Sequence, residues 1–198
     1  FVTLGVAWAP LQALGENPIW DMFWADIAAT IAIFVFSRLY KNSSFYDAYW
    51  SVIPPLIPLY WMLEATASGI DAILAWLVLV LVWLWGIRLT ANWATLWPGL
   101  EHEDWRYGPI KTNAGKWTAL ADFSAIHLFP TVIVFVACLP IYAAVAMDAQ
   151  PLNWLDYVAA AATAIAILIE LVSDIQLHQF INERKEGEIM KTGLWAYS

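Results

Sequence analysis

Charge is what this sequence has least of. Only 13% of its 198 residues are Asp, Glu, Lys or Arg, about half the share of a soluble domain. No lysine falls inside the long apolar runs, which excludes a retinal-type Schiff base. Cysteine occurs once, at Cys138 in an apolar run, so there is no internal disulfide framework. The three histidines, His102, His127 and His178, are too few and too scattered for a histidine-rich di-iron site. His102-Glu103 has no second histidine at the zincin spacing, so no metal site is expected. Neither GxGxxG nor a P-loop is present, which removes a soluble-type nucleotide fold. A net charge of −8 argues against nucleic acid as a partner.

What is present is apolar. The chain is 62% hydrophobic, holds 14 tryptophans and has a mean hydropathy of +0.62. Apolar runs of about 18 or more residues recur, each long enough to cross a hydrocarbon core of roughly 30 Å. They do not alternate, which excludes a transmembrane barrel. The expected fold is an all-α, polytopic transmembrane helix bundle forming a single membrane domain over residues 1–198. Five complete spans are expected at about 19–40, 45–63, 72–95, 118–147 and 154–180. Phe1–Leu14 reads as the end of an N-terminal span, and Gly15-Glu16-Asn17-Pro18 as a turn. Pro54, Pro55 and Pro58 interrupt the second span, and Pro130 and Pro140 are expected to bend the fourth.

The basic residues test this layout. With the first complete span running inward, Arg38, Lys41, Arg88, Arg106, Lys111, Lys116, Arg184, Lys185 and Lys191 all fall at one membrane face. The opposite turns carry only acidic residues, Glu16, Asp21, Glu64, Asp71, Asp148 and Asp156. The positive-inside rule makes the basic face cytoplasmic.

Polar residues converge on that face. The stretch Gly86–Tyr107 puts Arg88, Thr90 and Asn92 at a helix exit, then passes through Trp97-Pro98-Gly99 into Glu101, His102, Glu103, Asp104, Arg106 and Tyr107. Ser44, Asp47 and Ser51 share one helix stripe, and Arg88 and Asn92 share another. Glu170, Asp174 and His178 recur every four residues beside Ser173, with Arg88 and Arg106 as the expected counter-charges. Ionised groups at this depth face a bundle interior or a cavity. Two readings stand at this point. One is an ion-pair network that locks helices; the other is a cavity open to the cytoplasm, suited by its Arg and Asn donors to an anionic cofactor.

The runs NSSFYDAYWSVIPP, RLTANWATLWPGLEHEDWRY and IHLFPT resemble bacterial integral-membrane proteins of the steroid 5α-reductase-like family. The closing run, Ser173-Asp174 through Asn182-Glu183-Arg184-Lys185-Glu186-Gly187-Glu188 to Gly193-Leu194-Trp195-Ala196-Tyr197-Ser198, is similar to the segment leading into that family's cofactor-binding C-terminus. The resemblance covers nearly the whole chain and is weakest before Asp21. It implies a seven-helix bundle in the bacterial inner membrane that takes NADPH from the cytoplasm. The implied reaction reduces a carbon–carbon double bond conjugated to a carbonyl in a lipid-like substrate entering from the bilayer. Carried over by residue, Asp174, Arg184, Lys185, Glu188 and Tyr197 are implied cofactor-binding residues, with Arg88, Asn92 and Arg106 in the same pocket. Asp47 and Tyr46 are the catalytic candidates by position.

Two departures stand out. Lys185-Glu186-Gly187-Glu188 replaces the Lys-Pro-Gly-Glu of steroid-reducing relatives. The chain also ends at Ser198, before the Arg-His-Pro-Asn-Tyr-like run and last helix of the family, so a partial chain is expected. Two other functions stay open. The related isoprenylcysteine carboxyl methyltransferases allow S-adenosylmethionine-dependent methyl transfer. The high tryptophan content also suits a non-catalytic subunit of a membrane-protein complex.

Overall fold

The computed structural model describes residues 17–67, 73–147, 151–185 and 187–197. The expected helix end at Phe1–Leu14 lies outside the described residues, as do Gly15 and Glu16 of the expected turn, Asp71, Asp148, Glu186 and Ser198. All described regular structure is helical. The chain divides into two units, Phe1–Gln150 and Pro151–Ser198.

In the first unit, α1 spans Pro18–Tyr40. Asn17 caps it by accepting from the Ile19 and Trp20 amides, and Pro18 takes the first position, where no amide is needed. It ends where Lys41 turns left-handed at φ 54° and the Asn42 amide closes back on the Ser37 carbonyl at 2.9 Å. Helix α2 covers Phe45–Ala67 and α3 covers Ile73–Leu96. A short α4, Tyr107–Asn113, precedes the 33-residue α5, Gly115–Met147. Among the described residues, four helices are long and apolar enough to cross a membrane: α1, α3, α5 and, in the second unit, Trp154–Glu183.

Helix α2 has a similar length, 23 residues, or about 34 Å at 1.5 Å per residue. It is less apolar because it is the most sheltered. It packs against α1, α3 and α5 and buries Tyr46, Tyr49, Ile53, Ile57 and Trp61 along one stripe. Pro54, Pro55 and Pro58 are also buried and do not end the helix, since their freed carbonyls lie within the bundle rather than in lipid. The outer faces of α1, α3 and α5 expose Trp24, Ile31, Val80, Leu84, Ile133 and Val136, the residues a bilayer would cover.

Helix α5 responds to its prolines by changing register. It widens into π-helical turns at Asp122–Leu128, just before Pro130, and at Ala143–Met147, just after Pro140. Hydroxyl groups then stitch α1, α2 and α5 together. Tyr49 donates to Asp26 at 2.5 Å, Thr30 meets Tyr49 at 3.2 Å, and Thr131 joins Thr30 and Tyr46 at 2.9 Å each. Bonds of this kind between membrane helices average about 0.6 kcal/mol each.

In the second unit, α6 spans Trp154–Glu183. Asn153 and Asp156 form a reciprocal capping box at its start. The Arg184 amide bonds the Phe180 carbonyl at its end. The 3-10 turn Gly193–Tyr197 folds back on α6 through Leu194 N–H to Gln176 Oε1 and Trp195 Nε1–H to the Ser173 carbonyl, at 2.9 and 3.0 Å.

Candidate functional site

The tight turn after α1 organises one end of the first unit. Asn42, Ser43 and Ser44 are all buried there. The Asn42 side-chain Nδ2 donates to the carbonyls of Leu100 and His102 at 2.8 and 2.9 Å, and the Asp104 backbone amide donates to Ser44 Oγ at 2.8 Å. Glu103 accepts from the Ser43 amide at 2.6 Å and from Lys111 at 2.5 Å. Gly99, at φ 113°, supplies a turn that a side chain would strain. The polar segment after α3 is thus tied by its backbone to the α1–α2 turn.

Behind this belt sits Asp122, 1% exposed at its side chain, at the start of the first π-helical turn. It accepts from the Ser43 hydroxyl at 2.7 Å and faces Arg38 at 3.6 Å and Lys111 at 3.8 Å. Five residues on, His127 places Nδ1 3.0 Å from the Asp122 carbonyl and Nε2 3.0 Å from Ser37 Oγ. It is an interior, hydrogen-bonded histidine. Among the described residues, no group of three His, Cys, Asp or Glu side chains is arranged to hold a metal ion.

On the α2–α3 side of the belt is a cavity of about 300 Å³. Ser44 comes from the turn before α2, Asp47 and Trp50 from α2, and Leu89, Asn92, Trp93 and Leu96 from α3. The connecting segment adds Trp97, Pro98, His102, Asp104 and Arg106. Trp93 and Trp97, four residues apart, stack with ring centres 4.8 Å apart. The indole Nε1–H of Trp97 is buried and meets no acceptor among the described residues. Asp47 accepts a hydrogen bond from the Tyr107 hydroxyl.

The charges here are arranged locally. Arg106 forks onto Asp104, Nε to Oδ1 at 2.8 Å and Nη2 to Oδ2 at 2.7 Å. That hydrogen bonding holds the Asp104 carboxyl below its ordinary range and raises the guanidinium above its own. Burial, then the bond to Asp47, pushes the Tyr107 phenol well above its ordinary value. Within the first unit the carboxylate partner of Arg106 is Asp104, two residues away.

The sequence-derived candidates are therefore distributed. Asp47, Asn92 and Arg106 line one cavity. Tyr46 does not line it: its ring is buried against Tyr49 and His127, and its hydroxyl meets Thr131. Arg88 lies one turn before Asn92 on α3 and is not among the lining residues. The others belong to the second unit. Asp174 is half-buried on α6, Arg184 caps that helix, and Lys185 and Glu188 close an exposed turn in which the Lys185 amide bonds Glu188 Oε2 at 3.0 Å. Tyr197 is 91% exposed. Sequence reasoning passed over Asp26 and Asp122, although each is a lone carboxylate within an apolar run, the signal that should have marked them. It also gave no weight to Asn42 and Ser43, whose roles depend on a segment about 60 residues away.

A protein-family model described as "Protein of unknown function (DUF1295)" matches residues 33–198. Among curated proteins, the chain is similar to "Uncharacterized protein C594.04c" of Schizosaccharomyces pombe, 24% identical over 156 residues. That match covers 77% of this chain and 45% of the yeast protein, so the chain spans about half the length of the curated relative it matches. No solved structure matches.

Proposed function

Since the chain belongs to the DUF1295 family, we propose that it is a membrane-embedded, NADPH-dependent reductase. Its substrate would be a steroid-like or other lipid carrying a carbon–carbon double bond conjugated to a carbonyl. Membership supports this reading because the family is linked to steroid 5α-reductase-like proteins. The observation that carries it is the cavity at the α2–α3 end, where stacked indoles, an amide and an unmatched indole N–H stand beside a carboxyl.

These residues fit a flat conjugated ring that bears an oxygen acceptor. Trp93 and Trp97 offer aromatic surface, and Asn92 and the Trp97 N–H offer donors to a carbonyl or carboxamide oxygen. They fit phosphate less well, because Arg106, the Lys or Arg of the wall among the described residues, is already engaged by Asp104. The sequence resemblance, by itself, implies Asp174, Arg184, Lys185, Glu188 and Tyr197 of the second unit as cofactor-binding residues.

NADPH, when bound, would supply the hydride for the carbon β to the carbonyl. The chain's own part is to polarise the carbonyl and bring one proton to the α carbon. Asp47, held in the wall by Tyr107, is the group this proposal assigns to the proton; Tyr46, bonded to Thr131, supports the core. All nine Lys and Arg at one face, by the positive-inside rule, put the polar end on the cytoplasmic side of a bacterial inner membrane in this reading.

The test uses purified protein in nanodiscs, NADPH titration, and an enone lipid whose product is weighed for two added hydrogens. Asp174→Ala and Arg184→Ala should abolish NADPH binding in folded protein. Asp47→Asn should lower turnover by about 10²- to 10⁴-fold while NADPH still binds. Unchanged NADPH affinity in the first two variants would overturn the assignment. Binding of S-adenosylmethionine instead would point to methyl transfer, and an empty chain held in a complex to a non-catalytic subunit.

A further inference from the structure

The wall of the same cavity carries a charge imbalance. Asp104 and Arg106 neutralise each other through two hydrogen bonds of 2.8 and 2.7 Å. That leaves the half-buried Asp47 as the net charge of the lining, oriented by a Tyr107 hydroxyl that donates a proton bond and no charge. Trp50, Trp93 and Trp97, all half-buried, line the same cavity. Indole faces attract cations through the ring quadrupole, most strongly where water is scarce, and a nearby carboxylate adds to that attraction. The unmatched N–H of Trp97 calls for an oxygen acceptor on the same ligand.

We infer that this cavity selects an organic cation, one whose positive nitrogen is bonded only to carbon and which carries an acceptor oxygen nearby. An inorganic or primary ammonium ion holds its water too strongly to exchange it for indole faces, whereas a pyridinium or quaternary ammonium does not. Two sources share this chemistry. One is a pyridinium ring bearing a carboxamide, as in an oxidised nicotinamide; the other is a choline-type lipid headgroup. The inference concerns the cavity of the proposed reductase but does not depend on that reading. If both hold, the site grips the oxidised ring more tightly than the reduced one.

The experiment compares charged and neutral isosteres on the purified chain in maltoside micelles, whose sugar headgroups carry no charge, with tryptophan fluorescence and calorimetry as readouts. The pairs are 1-methylnicotinamide against nicotinamide, and choline against 3,3-dimethylbutan-1-ol. The expected result is a preference of about tenfold or more for the cation of at least one pair. It should be lost in Asp47→Asn and weakened in Trp93→Leu. Selectivity confined to the first pair identifies the pyridinium source, and selectivity confined to the second identifies the headgroup. Equal binding of charged and neutral members overturns the inference and leaves the reductase reading standing, because a flat neutral ring would still be accepted. Binding of none of the four overturns the inference and also removes the cavity from the proposed reductase site. The wild-type comparison decides the matter even if a variant fails to fold.

Discussion

Replacing Asp122 by alanine removes the acceptor on which the polar end of the first unit converges. The loss can be worked from its contacts. The Ser43 hydroxyl bond at 2.7 Å is charge-assisted and contributes about 1.5–3 kcal/mol. Arg38, at 3.6 Å and half exposed, adds little, since exposed pairs contribute about 0.2–1 kcal/mol. Lys111 is 3.8 Å from Asp122 but 2.5 Å from Glu103, so it keeps a partner in the variant. No stranded buried cation results, so the cost does not reach the top of the roughly 3–5 kcal/mol typical of a broken buried pair. Asp122→Ala should therefore destabilise the protein by about 2–4 kcal/mol. Asp122→Asn keeps an acceptor for Ser43 and should cost about 1 kcal/mol. Denaturant unfolding in micelles, followed by tryptophan fluorescence, measures both. A double-mutant cycle with Ser43→Ala should give a coupling of about 1–2 kcal/mol. A cost for alanine under about 1 kcal/mol, or equal costs for Asn and Ala, would refute the idea that the carboxylate organises this end.

Three further outcomes are expected. A Cβ at Gly86 would sit 2.5 Å from the Pro55 ring and 3.0 Å from the Ser51 carbonyl. Overpacking of about 1–3 kcal/mol then exceeds the helix-propensity gain of about 1 kcal/mol, so Gly86→Ala should lower stability, and a stabilised variant would contradict the α2–α3 contact. Gly193, at φ 63°, holds the turn that returns to α6. Gly193→Ala should cost about 1–2 kcal/mol locally and speed amide exchange at Leu194, whereas unchanged exchange would show that the turn does not need glycine. Tyr107 has a folded-state value raised by burial and by Asp47. Its contribution to stability is complete below the unfolded tyrosine value of about 10 and is lost as pH rises through the folded value. Tyr107→Phe should flatten the alkaline limb of the stability curve, and identical limbs in variant and wild type would count against this.

The helices were legible in advance because their causes are local. A run of apolar residues long enough to cross a bilayer forms a helix whatever lies beside it, since every backbone group must be satisfied within the segment. Thus the expected 19–40, 45–63, 72–95, 118–147 and 154–180 became Pro18–Tyr40, Phe45–Ala67, Ile73–Leu96, Gly115–Met147 and Trp154–Glu183. The largest differences lie at ends set by capping and fraying, as where α2 runs on past Glu64. Helical spacing put Ser44, Asp47 and Ser51 on one stripe; Asp47 and Ser44, the latter in the turn before α2, line the cavity, whereas Ser51 bonds Thr90 of α3.

Which polar groups meet was decided by packing. Tyr46 and Asp47 are neighbours in sequence, but successive helical residues point about 100° apart. One enters the core at Thr131 and the other the cavity wall beside Tyr107. Arg106 reads equally well as a partner for any nearby acid; the local turn gave it Asp104. Asn42, Ser43 and Asp122 became a site only when a turn after α1, the segment after α3 and the first π-helical turn of α5 were brought to one end of the bundle. The sequence by itself determined that the chain is a set of membrane-length helices with a polar end, because apolarity and length act within each segment. Tertiary structure alone decided how each helix is rotated about its axis and which loops close over it, because those depend on contacts between residues far apart in the chain.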